Sequence, residues 1–290
     1  MDEKEKIRKR DIPPMILKYI FLIAVLFITL IPILYTICAS FKTNSEIMVH
    51  PERLLPMQPT LENYKIAWTS DMINIPRMFW NSTYYTLITV TITIIISSLS
   101  GYVFARGGNF PGSKVIFACF SALMFVNFGS ITIYAVFQVL NIFKLSNSLW
   151  GLIVKNFFAI GTVNIYLVRS YIRTLPKELD EAAEIDGSSF IGTYFKIILP
   201  LLKPIIATLT ILSFQSSWND YLMPTLFTIS RPEQRTLIVG ITALKNSGSA
   251  ASNWNLMLAG AVITIIPILV VYGFANKYFV NGLASGAVKG

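Results

Sequence analysis

The side chains that could do chemistry in this chain are few, and their spacing does not support catalysis. The only histidine, His50, has no second histidine or cysteine near it, so no metal-ligand pattern forms around it. Cys38 and Cys119 sit in apolar runs without ligand or redox spacing and imply no disulfide framework. Residues 107–114 (GGNFPGSK) look superficially like a phosphate loop. They lack the Gly-Lys-Ser/Thr order that brings a lysine onto phosphates, and the stretch reads as a tight turn. The carboxylates cluster in residues 176–200, far from any histidine, so no nucleophile can be paired with a base. No catalytic residue, metal or cofactor is expected in this chain.

The elements that must position these residues belong in a bilayer. Hydrophobic residues make up 54% of the chain and charged ones 13%, with a mean hydropathy of +0.60. Soluble domains average about 25% charged, so composition alone indicates a membrane protein. A net charge of +9 could suggest nucleic acid, but the positives flank apolar segments rather than forming a stripe interleaved with aromatics. No nucleic-acid partner is expected. Six stretches approach the roughly 20 apolar residues a span requires: about 19–39, 80–105, 115–143, 149–168, 204–229 and 256–275. The first is too long for a cleavable signal core and reads as an uncleaved span. The expected fold is therefore all-α: a polytopic membrane protein with six transmembrane helices.

Orientation follows from Lys and Arg. Ahead of the first span stand Lys4, Lys6, Arg8, Lys9, Arg10 and Lys18, whereas the longer loop after it carries only Lys42, Arg53, Lys65 and Arg77. That bias puts the N-terminus in the cytoplasm. Six spans then leave 15 Lys/Arg inside and 9 outside, with both termini cytoplasmic. The implied organisation is a cytoplasmic segment over 1–18, a transmembrane domain over 19–280 and a cytoplasmic tail over 281–290. Within the domain, the acidic stretch lies in a cytoplasmic loop, 174–203, and external loops cover 42–79 and 230–254.

The acidic stretch, PKELDEAAEIDGSSFIGTYFKIILP, has a local physical logic. Pro176 suits the first residue of a helix. Glu178, Asp180 and Glu181 place negative charge at the positive end of the helix dipole. Ala182 and Ala183 are strong helix formers that let another surface come close. Gly187 can close the helix in a left-handed cap, and Ser188 or Ser189 can cap the next one. The expected product is a helix, a turn and a second helix lying along the membrane surface, ending near Pro200.

This segment resembles the EAA loop of the permease subunits of bacterial ABC importers. The pattern of Glu-Ala-Ala, three residues, Gly, nine residues, Ile, one residue and Leu-Pro is filled by Glu181, Ala182, Ala183, Gly187, Ile197, Leu199 and Pro200. Weaker likenesses to the carbohydrate-type permeases follow in order. They are Trp218-Asn219-Asp220-Tyr221, then Asn253-Trp254 with the run Leu256 to Ala261, then the tail from Phe279 to Gly290.

The resemblance implies a bacterial inner-membrane, multi-pass subunit forming half of a translocation pore. Its partners would be a second permease subunit, two ATPase subunits that carry ATP and Mg, an extracytoplasmic solute-binding protein and a carbohydrate substrate. Glu181, Ala182, Ala183 and Gly187 would be the ATPase-coupling residues. Asp220 and Asn219 are candidates for the translocation path; a structural acceptor near the outer end of the fifth span is the alternative for Asp220. Lys155 reads as a cation reaching for the outer surface. Asn246, Ser247, Gly248 and Asn253, in a loop rich in Ser, Asn and Gly, are candidates for contact with the binding protein, against a passive connector. Two other functions stay open: an importer permease for a peptide or polyamine, and an ion-coupled transporter. The latter calls for intramembrane ionisable residues and an internal repeat; the spans offer only Lys155 and Asp220, with no clear repeat.

Overall fold

A computed structural model describes residues 12–69, 74–107, 112–125, 131–158, 161–244 and 253–287. Among the described residues there is no strand. The helices are α1 (Ile12–Ala39), α2 (Asn44–Val49), α3 (Glu62–Thr69), α4 (Ile75–Arg106), α5 (Ser113–Leu123), α6 (Ile131–Ile142) and α7 (Leu149–Phe158). They continue as α8 (Thr162–Ile172), α9 (Glu178–Ile185), α10 (Phe190–Leu201), α11 (Lys203–Trp218), α12 (Leu222–Phe227), α13 (Leu237–Ala243) and α14 (Trp254–Ala287). Helices dominate because backbone groups in hydrocarbon must pair within their own segment.

Among the described residues, three helical stretches are long and apolar enough to cross a membrane unaided: Ile16–Ala39, Ile75–Arg106 and Trp254–Ala275. The expected fourth and fifth spans are not continuous helices. The fourth is the pair α7 and α8, bent by 44°, with Gly161 opening the second member. The fifth begins at α11 after a 76° bend from α10. At that bend Pro200 and Pro204 supply no N–H, and the Leu202 N–H is shared between the carbonyls of Ile198 and Leu199. α11 ends at Trp218, and Asp220 accepts the Met223 N–H in the first turn of α12, 3.3 Å away. The expected third span holds two shorter apolar helices, α5 and α6, with residues 126–130 outside the described set.

The chain divides into two compact units, drawn from Met1–Asn74 with Ile241–Ile263 and from Ile75–Gly240 with Thr264–Gly290. In the first, α1 exposes its apolar side chains, as a lipid-facing helix must. The stretch after it is ordered around Asn63, only 2% exposed. The Asn63 amide nitrogen donates to the carbonyls of Ser40 (2.7 Å) and Lys42 (2.8 Å), and its oxygen accepts from Asn255 (2.7 Å). Lys42, fully buried, donates to the Arg53 carbonyl. Thr43 caps α2, and Glu46 accepts the Met57 N–H at 2.7 Å. One asparagine thus satisfies backbone groups that a buried loop would otherwise leave unpaired.

In the second unit α4 is the central element, packed against α7, α8 and α11. Near its first turns it holds the later chain: Asn81 donates to the carbonyls of Glu233 and Arg235, and Ser82 accepts the Leu237 N–H. Tyr85 lies in a core with Leu149, Leu152, Ile153 and Phe227, and Tyr102 in another with Val168, Ile172, Tyr194, Ile198 and Leu209. Trp218 is structural: its indole N–H donates to the Thr264 carbonyl at 3.1 Å, and its ring stacks on Phe214. Gly101 sets the approach of α4 to α8, because a Cβ there would lie 2.6 Å from Val168 Cγ1 and 3.1 Å from the Arg169 backbone nitrogen. Gly101→Ala is therefore expected to destabilise the protein by about 1–3 kcal/mol through overpacking. The check is the thermal denaturation midpoint in detergent, with Gly273→Ala as a control where an added Cβ meets nothing within 4 Å.

Candidate functional site

The acidic hairpin folds much as its sequence dictates. α9 carries Glu178, Asp180 and Glu181 in its first turn, and Gly187, at φ +74°, supplies the left-handed turn that ends it. The cap of α10 is Ser189, whose Oγ accepts the Gly192 N–H at 3.1 Å. The helix starts at Glu178 and not at Pro176, because the Lys177 carbonyl accepts the N–H groups of Asp180 (2.9 Å) and Glu181 (3.2 Å). Glu181 and Ala182 are exposed, whereas Ala183 is 3% exposed and packs within the chain itself. Ile185, one turn beyond Glu181, is 86% exposed. Motif matching passes over Ile185; its signal is an apolar residue four positions after an acidic one on a surface helix.

Arg106, the last residue of α4, grips this hairpin. Its Nε lies 2.9 Å from Asp180 Oδ2, and its Nη2 donates to the carbonyls of Leu175 (2.7 Å) and Pro176 (3.3 Å). The two side chains are only 6% and 23% exposed. One turn back, the Tyr102 hydroxyl reaches Asp180 Oδ1 at 3.5 Å and the Phe190 carbonyl at 3.4 Å, and its ring stacks on Phe190 at 4.4 Å. Tyr194 of α10 bonds Ser98 of α4 at 2.7 Å in a buried contact. Beside these contacts lies a crevice of about 710 Å³ with Lys114, Arg169, Arg173 and Lys177 as well as Asp180, Glu181 and Glu184 in its lining. The Arg169 guanidinium sits 3.7 Å above the Phe117 ring and donates to the Phe104 carbonyl.

A second cavity, of about 610 Å³, opens among α4, α7, α8 and α11. Asp220 lines it, with Oδ2 accepting from the Tyr85 hydroxyl at 3.2 Å. Asn219 is exposed at the end of α11, outside that lining. Lys155, expected to reach for the outer surface, lines the same cavity as Asp220. Asn156 crosses to Thr89 at 3.1 Å. The remaining lining includes the hydroxyls of Thr93, Ser97, Ser213, Ser216 and Ser217.

Those hydroxyls differ from a set of threonines elsewhere in the helices. Thr83, Thr91, Thr208, Thr210 and Thr225 each donate to the carbonyl four residues back, as hydroxyls in apolar surroundings do. Thr93, Ser97, Ser213, Ser216 and Ser217 line the cavity and make no such bond among the described residues. Sequence gave no hint of this, since the distinction rests on where each hydroxyl points. Of the loop candidates, Asn246, Ser247 and Gly248 lie outside the described residues; Asn253 precedes α14, its carbonyl accepting the Met257 N–H.

Residues 97–284 match the family model described as "Binding-protein-dependent transport system inner membrane component". The chain is 32% identical over 270 residues to the arabinooligosaccharides transport system permease protein AraQ of Halalkalibacterium halodurans, covering 91% of this chain and 92% of that one. It is 31% identical to the galactooligosaccharides transport system permease protein GanQ of Bacillus subtilis (95% and 96% covered). With the multiple sugar-binding transport system permease protein MsmG of Streptococcus mutans it shares 33% identity (94% and 96%). In fold it is similar to a chain of a solved bacterial ABC transporter involved in the import of the acidic polysaccharide alginate, with a TM-score of 0.79 at 24% identity, covering 93% of this chain and 98% of that one.

The contrast among hydroxyls is directly testable. With Cys38 and Cys119 replaced by serine, Thr93→Cys and Ser213→Cys should react in the membrane with a charged, water-soluble thiol reagent, whereas Thr91→Cys should not. Equal reactivity at all three positions would remove the distinction between cavity-facing and back-bonded hydroxyls.

Proposed function

The chain belongs to the family of inner membrane components of binding-protein-dependent transport systems, and from that premise we propose that it forms half of the pore through which an importer moves a sugar or oligosaccharide. It is the membrane-spanning permease subunit of an ATP-binding-cassette importer. The observation that carries the coupling role is the hairpin, which fills the EAA pattern and presents Glu181, Ala182 and Ile185 outward on one short helix. An acidic side chain one turn from a bare isoleucine suits a cleft in an ATPase subunit that combines a basic group with an apolar floor. Ala182 leaves room for close approach, Ala183 seats the helix on its own chain, and Gly187 sets the turn.

The solute is a carbohydrate. The permeases AraQ and GanQ are named for arabino- and galacto-oligosaccharides, and the hydroxyls and amides of the second cavity suit polyhydroxyl solutes. Asp220 and Lys155 belong to the path; Asn219 flanks it. The partners are a second permease, two ATPase subunits carrying ATP and Mg, and an extracytoplasmic binding protein. Asn246, Ser247, Gly248 and Asn253 contact that binding protein on the outer face. Six crossings, a cytoplasmic N-terminal segment and a cytoplasmic tail complete the arrangement.

Purification from the host through a tag on this chain is expected to bring an ATPase subunit and a second permease with it. Glu181→Lys and Ile185→Asp should each weaken ATPase retention by about tenfold to a hundredfold, with normal membrane insertion. Full retention by both variants would remove the docking role. Reporters at Lys9, Ser247 and Ala287 should score inside, outside and inside; an outward Ala287 would change the number of crossings.

A further inference from the structure

We propose that Arg106 and Asp180 form the tether through which displacement of the hairpin reaches α4, and through α4 the wall of the polar cavity. The inference rests on the coupling role assigned to the hairpin and names the residues that transmit its movement within this chain. Three observations carry it.

First, the grip is concentrated at one point. Arg106 holds the segment ahead of α9 by the carbonyls of Leu175 and Pro176, and holds α9 itself through Asp180 at 2.9 Å. A guanidinium can make these contacts together because its planar fork presents several donors at fixed angles; an ammonium cannot reproduce them. The His50–Glu52 pair lies in the exposed loop after α1, whereas Arg106–Asp180 is largely shielded from solvent. Shielding keeps it from being screened away, and loss of either charge leaves the other half-buried without its counter-ion.

Second, α4 takes the load through Arg106 and also lines the cavity. It runs from Ile75 to Arg106 without a break, and Tyr85, Thr89, Thr93, Ile96 and Ser97 in the cavity wall all belong to it. The Arg106 end therefore cannot shift without carrying those groups along. Helices α7 and α8, which also line the cavity, meet at a bend and transmit axial displacement less directly.

Third, the contacts that accompany the ion pair stiffen the joint. Tyr102 and Ser98 engage both helices of the hairpin, through Asp180, Phe190 and Tyr194. Gly101, between them, presses α4 against α8. Pull or push on α9 is thereby delivered to the C-terminal end of α4 and not dissipated in a loose connector. Arg106 and Asp180 are positioning residues; neither is assigned a contact with solute or nucleotide.

The test uses the whole complex purified from its host through a tag on this chain, reconstituted in lipid, with Thr93→Cys as reporter in the background where Cys38 and Cys119 are serine. Two quantities are read: ATP hydrolysis, and the change in Thr93→Cys labelling by a charged thiol reagent when ATP and vanadate are added. With Arg106 and Asp180 intact, ATP and vanadate should alter the labelling rate. Arg106→Gln and Asp180→Asn should keep hydrolysis while shrinking that change about tenfold, a loss typical of coupling between sites. The exchanged pair, Arg106→Asp with Asp180→Arg, should recover part of it, which a purely structural role in folding does not predict once hydrolysis is already intact. If the glutamine variant fails to assemble, Arg106→Lys decides: it keeps the charge, loses the carbonyl contacts, and should give an intermediate change. A labelling response equal to that of the parent in Arg106→Gln, Asp180→Asn or assembled Arg106→Lys overturns the tether. Absence of any ATPase in the parent complex would instead overturn the function from which the inference starts.

Discussion

The close seating of α4 on α8 is the constraint on which the rest of the second unit depends. At Gly101 the two helices approach to a distance that no side chain allows, and the neighbouring turns then interlock. Val168 becomes fully buried, Tyr102 is left 2% exposed, and Arg106 is brought over the segment leading into the hairpin. Without a hydrophobic driving force between helices in lipid, association rests on such packing and on hydrogen bonds across helices. Tyr194 to Ser98, Asn156 to Thr89 and Asn81 to the Glu233 and Arg235 carbonyls are bonds of that kind, and each ends on α4. A single uninterrupted helix can thus anchor the acidic hairpin at one end and the connection before α13 at the other.

Polar groups in the helices divide by where they point. Several threonines outside the cavity lining close back on their own carbonyls, and so cost little, although the buried Thr86 hydroxyl does not. The cavity hydroxyls do not, and the same volume takes in Lys155 and Asp220. A lone ammonium or carboxylate within a span is expensive unless it faces water, protein or an opposite charge. Gathering them with hydroxyls and the Asn156 and Asn164 amides in one space meets that requirement. Asp220 has further duties: it accepts the Tyr85 hydroxyl and the Met223 N–H, so the break after α11 and the polarity of the cavity share one side chain.

What could be read in the sequence was what is local. The hairpin was legible because dipole charges, a glycine turn and a serine cap act within a few residues, and the structure has Gly187 at φ +74° and Ser189 capping α10. The helical, membrane-embedded class was legible from apolar length alone. Continuity was not: hydropathy over 204–229 is indifferent to whether the backbone stays helical, and the interruption at Asn219–Tyr221 is a matter of backbone conformation. Convergence was equally hidden. Lys155 and Asp220 are 65 residues apart and Arg106 and Asp180 are 74 apart, so only the packing of α4 with its neighbours brings each pair to a common site.

The second helix of the hairpin shows how a surface element is joined to a spanning one. Residues Tyr194–Ile198 form a π turn, a widened turn that recurs at functional positions in helices. Within it Tyr194 and Ile198, 3% and 0% exposed, both enter the core beneath Tyr102, while Phe195 is 55% exposed on the other side. An α-helical turn of 3.6 residues would carry Ile198 slightly past the line through Tyr194; the wider turn brings the two closer to register. Four residues later the chain turns by 76° into α11, on which Ser213, Ser216 and Ser217 line the cavity. The hairpin therefore has two connections to the spanning helices of its unit, one through the Arg106 contact to α4 and one covalent, through this bend to α11. Both end on helices that line the same cavity, α4 with Thr89, Thr93 and Ser97 and α11 with Ser213, Ser216 and Ser217.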